Sequence, residues 1–194
     1  MTHSAPPNTP RVPGPTAQFE KILPIEEWST YTDELAGFRI AYPPDWYVNG
    51  RPPNLPPQGW TTQFLSYDPN DRSFAKGKAP SNIIKLEITL DDLEVVGHPF
   101  APGQSLEDWV HGNSAISPDF SDQLRLIEES PMTIAGVSSF RQVIEYHTVD
   151  HFIGVTIYVP RGRNMIYINY RLPDTGSYQE QILRQMIESI QFFP

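Results

Sequence analysis

Cysteine is absent from the 194 residues. Disulfide staples, thiolate metal centres, thiol nucleophiles and a lipid-modified cysteine are therefore excluded from this chain. No apolar run approaches the roughly 18 residues that a membrane-spanning helix needs. The opening Met1-Thr2-His3-Ser4-Ala5 has neither a basic start nor an apolar stretch, so no signal peptide is expected there. Positive charge is scarce: 14 Lys and Arg stand against 23 Asp and Glu, a formal net charge of −9. Nucleic-acid binders are normally basic, so no nucleic-acid partner is expected. Signatures for nucleotide binding (Gly-x-Gly-x-x-Gly, or a Gly-Lys-Ser/Thr phosphate loop) are missing, as is the Gly-x-Ser-x-Gly nucleophile elbow. Nothing in the chain order singles out a nucleophile and its base, and the expectation is a non-enzyme.

What is present suits a folded core. The chain is 39% hydrophobic and 12% aromatic with only 19% charged residues, which argues against wholesale disorder. Its 21 prolines, about twice average usage, exclude a long coiled coil or a bundle of unbroken helices. Five of them fall in residues 1–18 (MTHSAPPNTPRVPGPTAQ), where almost nothing large and apolar can offset chain entropy. We read that stretch as a flexible tether and residues 19–194 as one domain.

Within the domain, Phe38, Ile40 and Tyr42 alternate with Arg39 and Ala41, which predicts a half-buried strand stopped by Pro43-Pro44-Asp45. Trp46 then folds back as a lid on the core. A second strand is expected over 61–67, and the clearest over 82–90, where Ile84, Leu86, Ile88 and Leu90 share one face. Ser105 caps a short helix with Leu106, Trp109 and Val110 turned inward. Four strands follow, at 124–134, 137–149, 152–159 and 165–172, separated by turns short enough to make hairpins. The chain closes with a helix over 178–191, opened by a Ser177-x-x-Glu180 capping box; Tyr178, Ile182, Leu183, Met186, Ile187 and Ile190 form its apolar stripe. The fold class is α+β, an antiparallel sheet flanked by helices.

This order, opened by GFRIAYPPDW and closed by ILRQMIESIQF, resembles the PsbP-like superfamily. Phe38, Ile40, Tyr42, Pro43 and Trp46 carry the family's Phe-x-Ile-x-Tyr-Pro-x-x-Trp strand, and the likeness covers roughly residues 30–194. It implies an α/β/α sandwich and a non-enzymatic binding or assembly-accessory domain whose partner is another protein. It also implies an extracytoplasmic setting (periplasm, cell surface or thylakoid lumen), with membrane association only through an anchor absent from this chain. The Pro-rich start differs from the photosynthetic members, so the bacterial lipoprotein-like members fit better than a photosystem-associated extrinsic protein. The motif residues are core and turn residues, and a fold by itself assigns no function.

Two clusters could carry binding chemistry. His147-x-x-Asp150-His151 sets two imidazoles and a carboxylate across a tight turn, where they could hold a divalent metal. The plainer reading is that Asp150-His151 makes the turn and His147 lies on a strand face; with no cofactor otherwise indicated, a metal is the alternative function. Asp91-Asp92-Leu93-Glu94 with His98, and Asp68-x-Asn70-Asp71, lack the glycine and spacing of a calcium loop and read as solvated turns. Arg161, Arg163 and Arg171 are the candidate partner-binding residues, since a guanidinium fork suits carboxylates. A pocket between sheet and helix is the remaining place for a small ligand.

If residues 1–18 form no part of the core, deleting them should leave the melting temperature within about a degree of the full chain's, read by calorimetry; a drop of several degrees would show that they pack on the domain.

Overall fold

The computed structural model describes residues 24–52, 54–71, 83–113, 123–147, 151–172 and 178–193. The tether of residues 1–18, Asp150 and the Ser177 cap lie outside them. The described strands are β1 (Ser29–Asp33), β2 (Phe38–Tyr42), β3 (Tyr47–Asn49), β4 (Thr61–Leu65), β5 (Lys85–Asp92), β6 (Leu124–Ile134), β7 (Val137–Tyr146), β8 (Phe152–Arg161), β9 (Asn164–Leu172) and β10 (Gln191–Phe192). The helices are α1 (Leu106–Asn113) and α2 (Tyr178–Glu188). Seven strands form one antiparallel sheet in the order β3-β4-β5-β9-β8-β7-β6, and β1-β2-β10 form a small antiparallel sheet beside it. The architecture is the α+β class that the residue pattern predicts.

Strand alternation decides where the core lies. Ile153, Val155, Ile157 and Val159 of β8 face the same way as Ile166, Ile168, Tyr170 and Leu172 of β9 and Leu86, Ile88 and Leu90 of β5. Onto that face α2 lays Ile182, Leu183, Met186 and Ile187, and the small sheet adds Phe38 and Ile40; Trp28 and Trp46 complete the cluster. The opposite face has a smaller cluster, in which Trp109 and Val110 of α1 cover Leu93, Phe140, Tyr158 and Met165. Ser105 starts α1 as expected: its Oγ accepts from the Asp108 amide at 3.0 Å and donates to the Asp108 carboxylate at 2.6 Å.

Several predicted boundaries move, each for a local reason. The strand over 61–67 ends at Leu65, where the Ser66 hydroxyl accepts from the Ile84 amide at 2.8 Å and begins the turn. The last helix stops at Glu188 rather than 191, because Ser189 turns its Oγ back to the Met186 carbonyl at 2.6 Å and accepts from Ala41 N at 2.9 Å. The chain thereby leaves the helix against β2, and Gln191–Phe192 pairs with Arg39 and Phe38. Strand β8 runs on to Arg161, so the hairpin to β9 is a two-residue turn of Gly162, at φ 63°, and Arg163.

One buried ion pair ties the loops together at the Arg161 end of the sheet. Arg51, from the Pro-rich loop, grips Asp33 at the end of β1 with two donors, Nη2 to Oδ1 at 2.7 Å and Nε to Oδ2 at 3.0 Å. The side chains are only 6% and 3% exposed. Asp33 Oδ1 also accepts from the amides of Leu35 and Ala36, so it shapes the β1–β2 turn, while Arg51 Nη1 donates to the carbonyls of Pro52 and Leu55. Burial alone would raise the Asp33 pKa, but the Arg51 hydrogen bond and charge and the two turn amides outweigh it and hold the carboxyl below its ordinary value.

Arg51→Met should therefore leave a buried carboxylate alone and cost about 3 kcal/mol in denaturant unfolding. Because the folded Asp33 pKa is depressed, its contribution should be complete above about pH 4 and be lost as pH falls through the folded pKa. A variant as stable as the parent at pH 7 would contradict this account of the loop.

Candidate functional site

At the end of the sheet away from that ion pair, β7 and β8 finish opposite one another, with Glu145 facing Ile153 and Tyr146 facing Phe152. The chain continues past β7 only to His147, whose amide donates to the Gln123 carbonyl at 2.7 Å, and it re-enters the described residues at His151. This geometry brings both imidazoles to one carboxylate. His151 Nε2 lies 2.9 Å from Glu145 Oε1 and His147 Nε2 lies 3.2 Å from Glu145 Oε2, with the two rings 5.5 Å apart. The three ligand atoms all lie within 4.8 Å of one another. Glu145 is 13% exposed, whereas His147 and His151 are 44% and 54% exposed, so the group is open to solvent on the imidazole side.

Arg125 of β6, opposite Glu145, also binds this carboxylate, with Nε 2.6 Å and Nη2 2.5 Å from Oε2. The hydrogen bond from His151 is the largest influence on Glu145; with Arg125 and His147 it outweighs burial and holds the carboxyl below its ordinary value. The carboxylate is therefore charged at neutral pH and ready to ligate a cation.

Of the sequence-predicted metal residues, His147 and His151 converge, and Asp150 lies outside the described residues. Among the described residues, the carboxylate that meets the imidazoles is Glu145, which the sequence pattern did not single out. The signal was available: on a strand, residues two apart share a side, and Glu145 stands two before His147. The acidic run at the end of β5 has other work. Asp92, buried, pairs with Arg163 at 2.8 Å, and burial pushes the Asp91 carboxyl up against an opposing hydrogen bond from the Gly59 amide.

The three candidate arginines are not brought together. Arg161 lies over the Phe192 ring at 4.8 Å and donates to the carbonyl of Phe193 at 3.1 Å, fastening the β8–β9 turn to the C-terminal segment. Gly37 belongs to the same lock: at φ 70° it carries no Cβ, and one would sit 2.7 Å from the Phe193 carbonyl oxygen. Arg163 reaches Asp92 and Glu94. Arg171 stands opposite Gly154, seven residues along β8 from Arg161, or roughly 23 Å of strand.

Arg171 belongs instead to a groove of about 510 Å³ on the sheet face that α1 leaves bare. Its walls include Tyr67, Lys85, Glu87, Tyr146, Phe152 and Asn169. A second cavity, about 580 Å³, opens between β6, β7 and α2, with Ile134, Ile157 and Ile187 at its base. Charges of both signs rim it, and Arg141 already binds Glu128 there at 2.9 Å.

No protein-family model matches this chain, and no curated protein matches it in sequence. Solved structures do match. Cyanobacterial PsbP (CyanoP) from Synechocystis sp. PCC 6803 is similar over 93% of this chain and 100% of its own, at 12% identity and a TM-score of 0.51. A protein of unknown function, PA94 from Pseudomonas aeruginosa, matches over 87% of this chain and 99% of its own, at 10% identity and a TM-score of 0.51. A protein from Bacteroides thetaiotaomicron VPI-5482 matches over 87% of this chain but 49% of its own, at 10% identity and a TM-score of 0.46; this chain spans about half its length. The chain has a PsbP-like fold, in agreement with the Phe38–Trp46 motif. No helix among the described residues is long and apolar enough to cross a membrane.

A carbon-detected NMR titration of the Glu145 carboxyl should give a midpoint below the ordinary glutamate value of about 4.3, and His151→Gln should move it upward. A wild-type midpoint at or above the ordinary value would contradict this geometry.

Proposed function

We propose that this chain is a non-enzymatic accessory domain acting outside the cytoplasm, and that the open end of β7 and β8 binds a divalent transition metal. The observation that carries the metal is the convergence of His147 Nε2, His151 Nε2 and a Glu145 oxygen within 4.8 Å. Ligand atoms about 2.0–2.2 Å from a tetrahedral zinc ion stand roughly 3.3 Å apart, so the three groups, now within 4.8 Å of one another, would draw together on a shared ion. Two imidazoles and one carboxylate suit zinc, copper or nickel better than calcium or magnesium, which prefer all-oxygen shells. Arg125 balances the Glu145 charge, and its side chain, 67% exposed, is free to swing out as a cation enters. Three protein ligands leave a fourth position for water or for a partner's side chain.

A second reading, that the domain docks another protein, is favoured by the groove on the bare sheet face and is compatible with the first. The extracytoplasmic setting is supported by the PsbP-like fold and by the Pro-rich stretch before it.

Calorimetric titration with zinc chloride should show one saturable site per chain in the wild type, at least tenfold weaker in His151→Gln. Protons compete for the imidazole nitrogens, so affinity should fall as the solution is acidified. Metal at a hundredfold over its dissociation constant should add about 2.7 kcal/mol of stability. No saturable heat, or equal binding by the His151 variant, would refute the metal reading.

A further inference from the structure

Beyond α1 the same sheet face carries an exposed arginine, Arg171, stacked on an aromatic ring. Helix α1 has eight residues and is about 12 Å long, whereas the ten residues of β8 extend about 33 Å. It covers Phe140, Tyr158 and Met165 and leaves Phe152, Gly154, Thr156, Asn169 and Arg171 outside the core clusters. On this half-buried stretch Tyr146 stacks on Phe152, ring centroids 4.4 Å apart and 12° from parallel, and the exposed Arg171 guanidinium lies over Phe152 at 4.4 Å. Gly154 makes the stack possible, because a Cβ there would meet the Tyr146 ring at 2.6 Å.

Every other described arginine is spent on an oxygen. Arg39 bonds Gln191, Arg51 Asp33, Arg125 Glu145, Arg141 Glu128, Arg161 the Phe193 carbonyl, Arg163 Asp92 and Arg184 Glu180. Arg171 alone, among the described residues, touches only an aromatic face. Stacking removes rotamer freedom from its long side chain while leaving the donor edge of the fork unsatisfied, which lowers the ordering cost of binding. Nearby Lys85 is neutralised by Glu87 at 2.7 Å, and Glu87 is itself held by Gln63 at 2.8 Å. One uncompensated positive charge therefore marks the groove of a protein whose net charge is −9.

We propose that this groove is a carboxylate-recognition site that docks an acidic segment of a partner protein, with the Arg171 fork taking an Asp or Glu side chain bidentately against the Tyr146–Phe152 stack. A single carboxylate matches one guanidinium, and the Glu87 carboxylate in the wall opposes a densely charged phosphate chain. The inference rests on the protein-docking reading and is independent of the metal.

The test is a two-dimensional amide NMR titration, without added metal and with a chelator present, using an acetylated and amidated hexaglutamate peptide and, in parallel, hexalysine. Hexaglutamate should shift the Gly154, Thr156 and Asn169 amides and the Arg171 Nε–H resonance saturably. Arg171→Gln, which should move only resonances around the Phe152 ring and leave the rest of the spectrum in place, should weaken that binding at least tenfold, and Arg171→Lys should restore only part of it. Shifts that persist in Arg171→Gln, or that map to another surface with either peptide, would overturn this inference and leave the docking reading standing. If neither peptide binds anywhere, both fall.

Discussion

The layer of branched aliphatic side chains between α2 and the seven-stranded sheet is the contact on which the rest of the structure depends. Ile157, Ile168 and Leu86 from adjacent strands, all at 1% exposure or less, meet Leu183 and Met186, which are fully covered. Burying a side chain of this kind contributes about 1.5–3 kcal/mol, so this layer outweighs any single polar contact in the molecule. Period-two alternation then sends every second residue of β5, β7, β8 and β9 to the opposite face. There, among the described residues, α1 and Phe100 cover Phe140, Tyr158 and Met165, while Phe152, Gly154 and Thr156 stay half-buried and Arg171 exposed.

The two ends of the sheet consequently do different jobs. At one end Asp33–Arg51, Asp92–Arg163 and the Arg161 contacts with Phe192 and Phe193 join four loops, with Asp33, Arg51 and Asp92 buried and Arg163 reaching in from the surface. Charged groups so fully engaged fix geometry and leave little for a ligand. At the other end the charged and aromatic groups of β7, β8 and β9 are open: Glu145 with two imidazoles on one side of the sheet, and Arg171 on its aromatic stack on the other. Cross-strand neighbours share a face, and Glu145 pairs with Ile153 whereas Arg171 pairs with Gly154, so the two features occupy opposite faces of the same strand ends. A partner could engage both.

Most of the long elements were legible in the chain because their period is unambiguous. Ile84, Leu86, Ile88 and Leu90 could be nothing but one face of a strand, and the stripe from Ile182 to Ile190 is helical. The short strands were not legible. Ser29–Asp33 reads STYTD, with no run of apolar alternation, and is held by pairing with β2; Tyr47–Asn49 and Gln191–Phe192 are likewise fixed by neighbours rather than by their own pattern. The Phe38–Trp46 motif indicated the PsbP-like fold but concerns core and turn, and so it could not indicate a site. The candidate site was half legible. Two histidines near a hairpin invited a metal; Asp150 lies outside the described residues, and strand register adds Glu145, which the pattern did not single out. The separation of Arg161 and Arg171 follows from strand length, which is readable, whereas their different partners follow from folding, which is not.

The central claim, that strand register at the end of β7 and β8 assembles a cation site, is tested most directly by anomalous diffraction at the zinc edge from crystals grown with zinc chloride. The account predicts one strong peak within about 2.0–2.2 Å of His147 Nε2, His151 Nε2 and an oxygen of Glu145, with Arg125 displaced from the carboxylate. A zinc-containing crystal with no density between these three side chains, or with Arg125 still closed on Glu145, would contradict it.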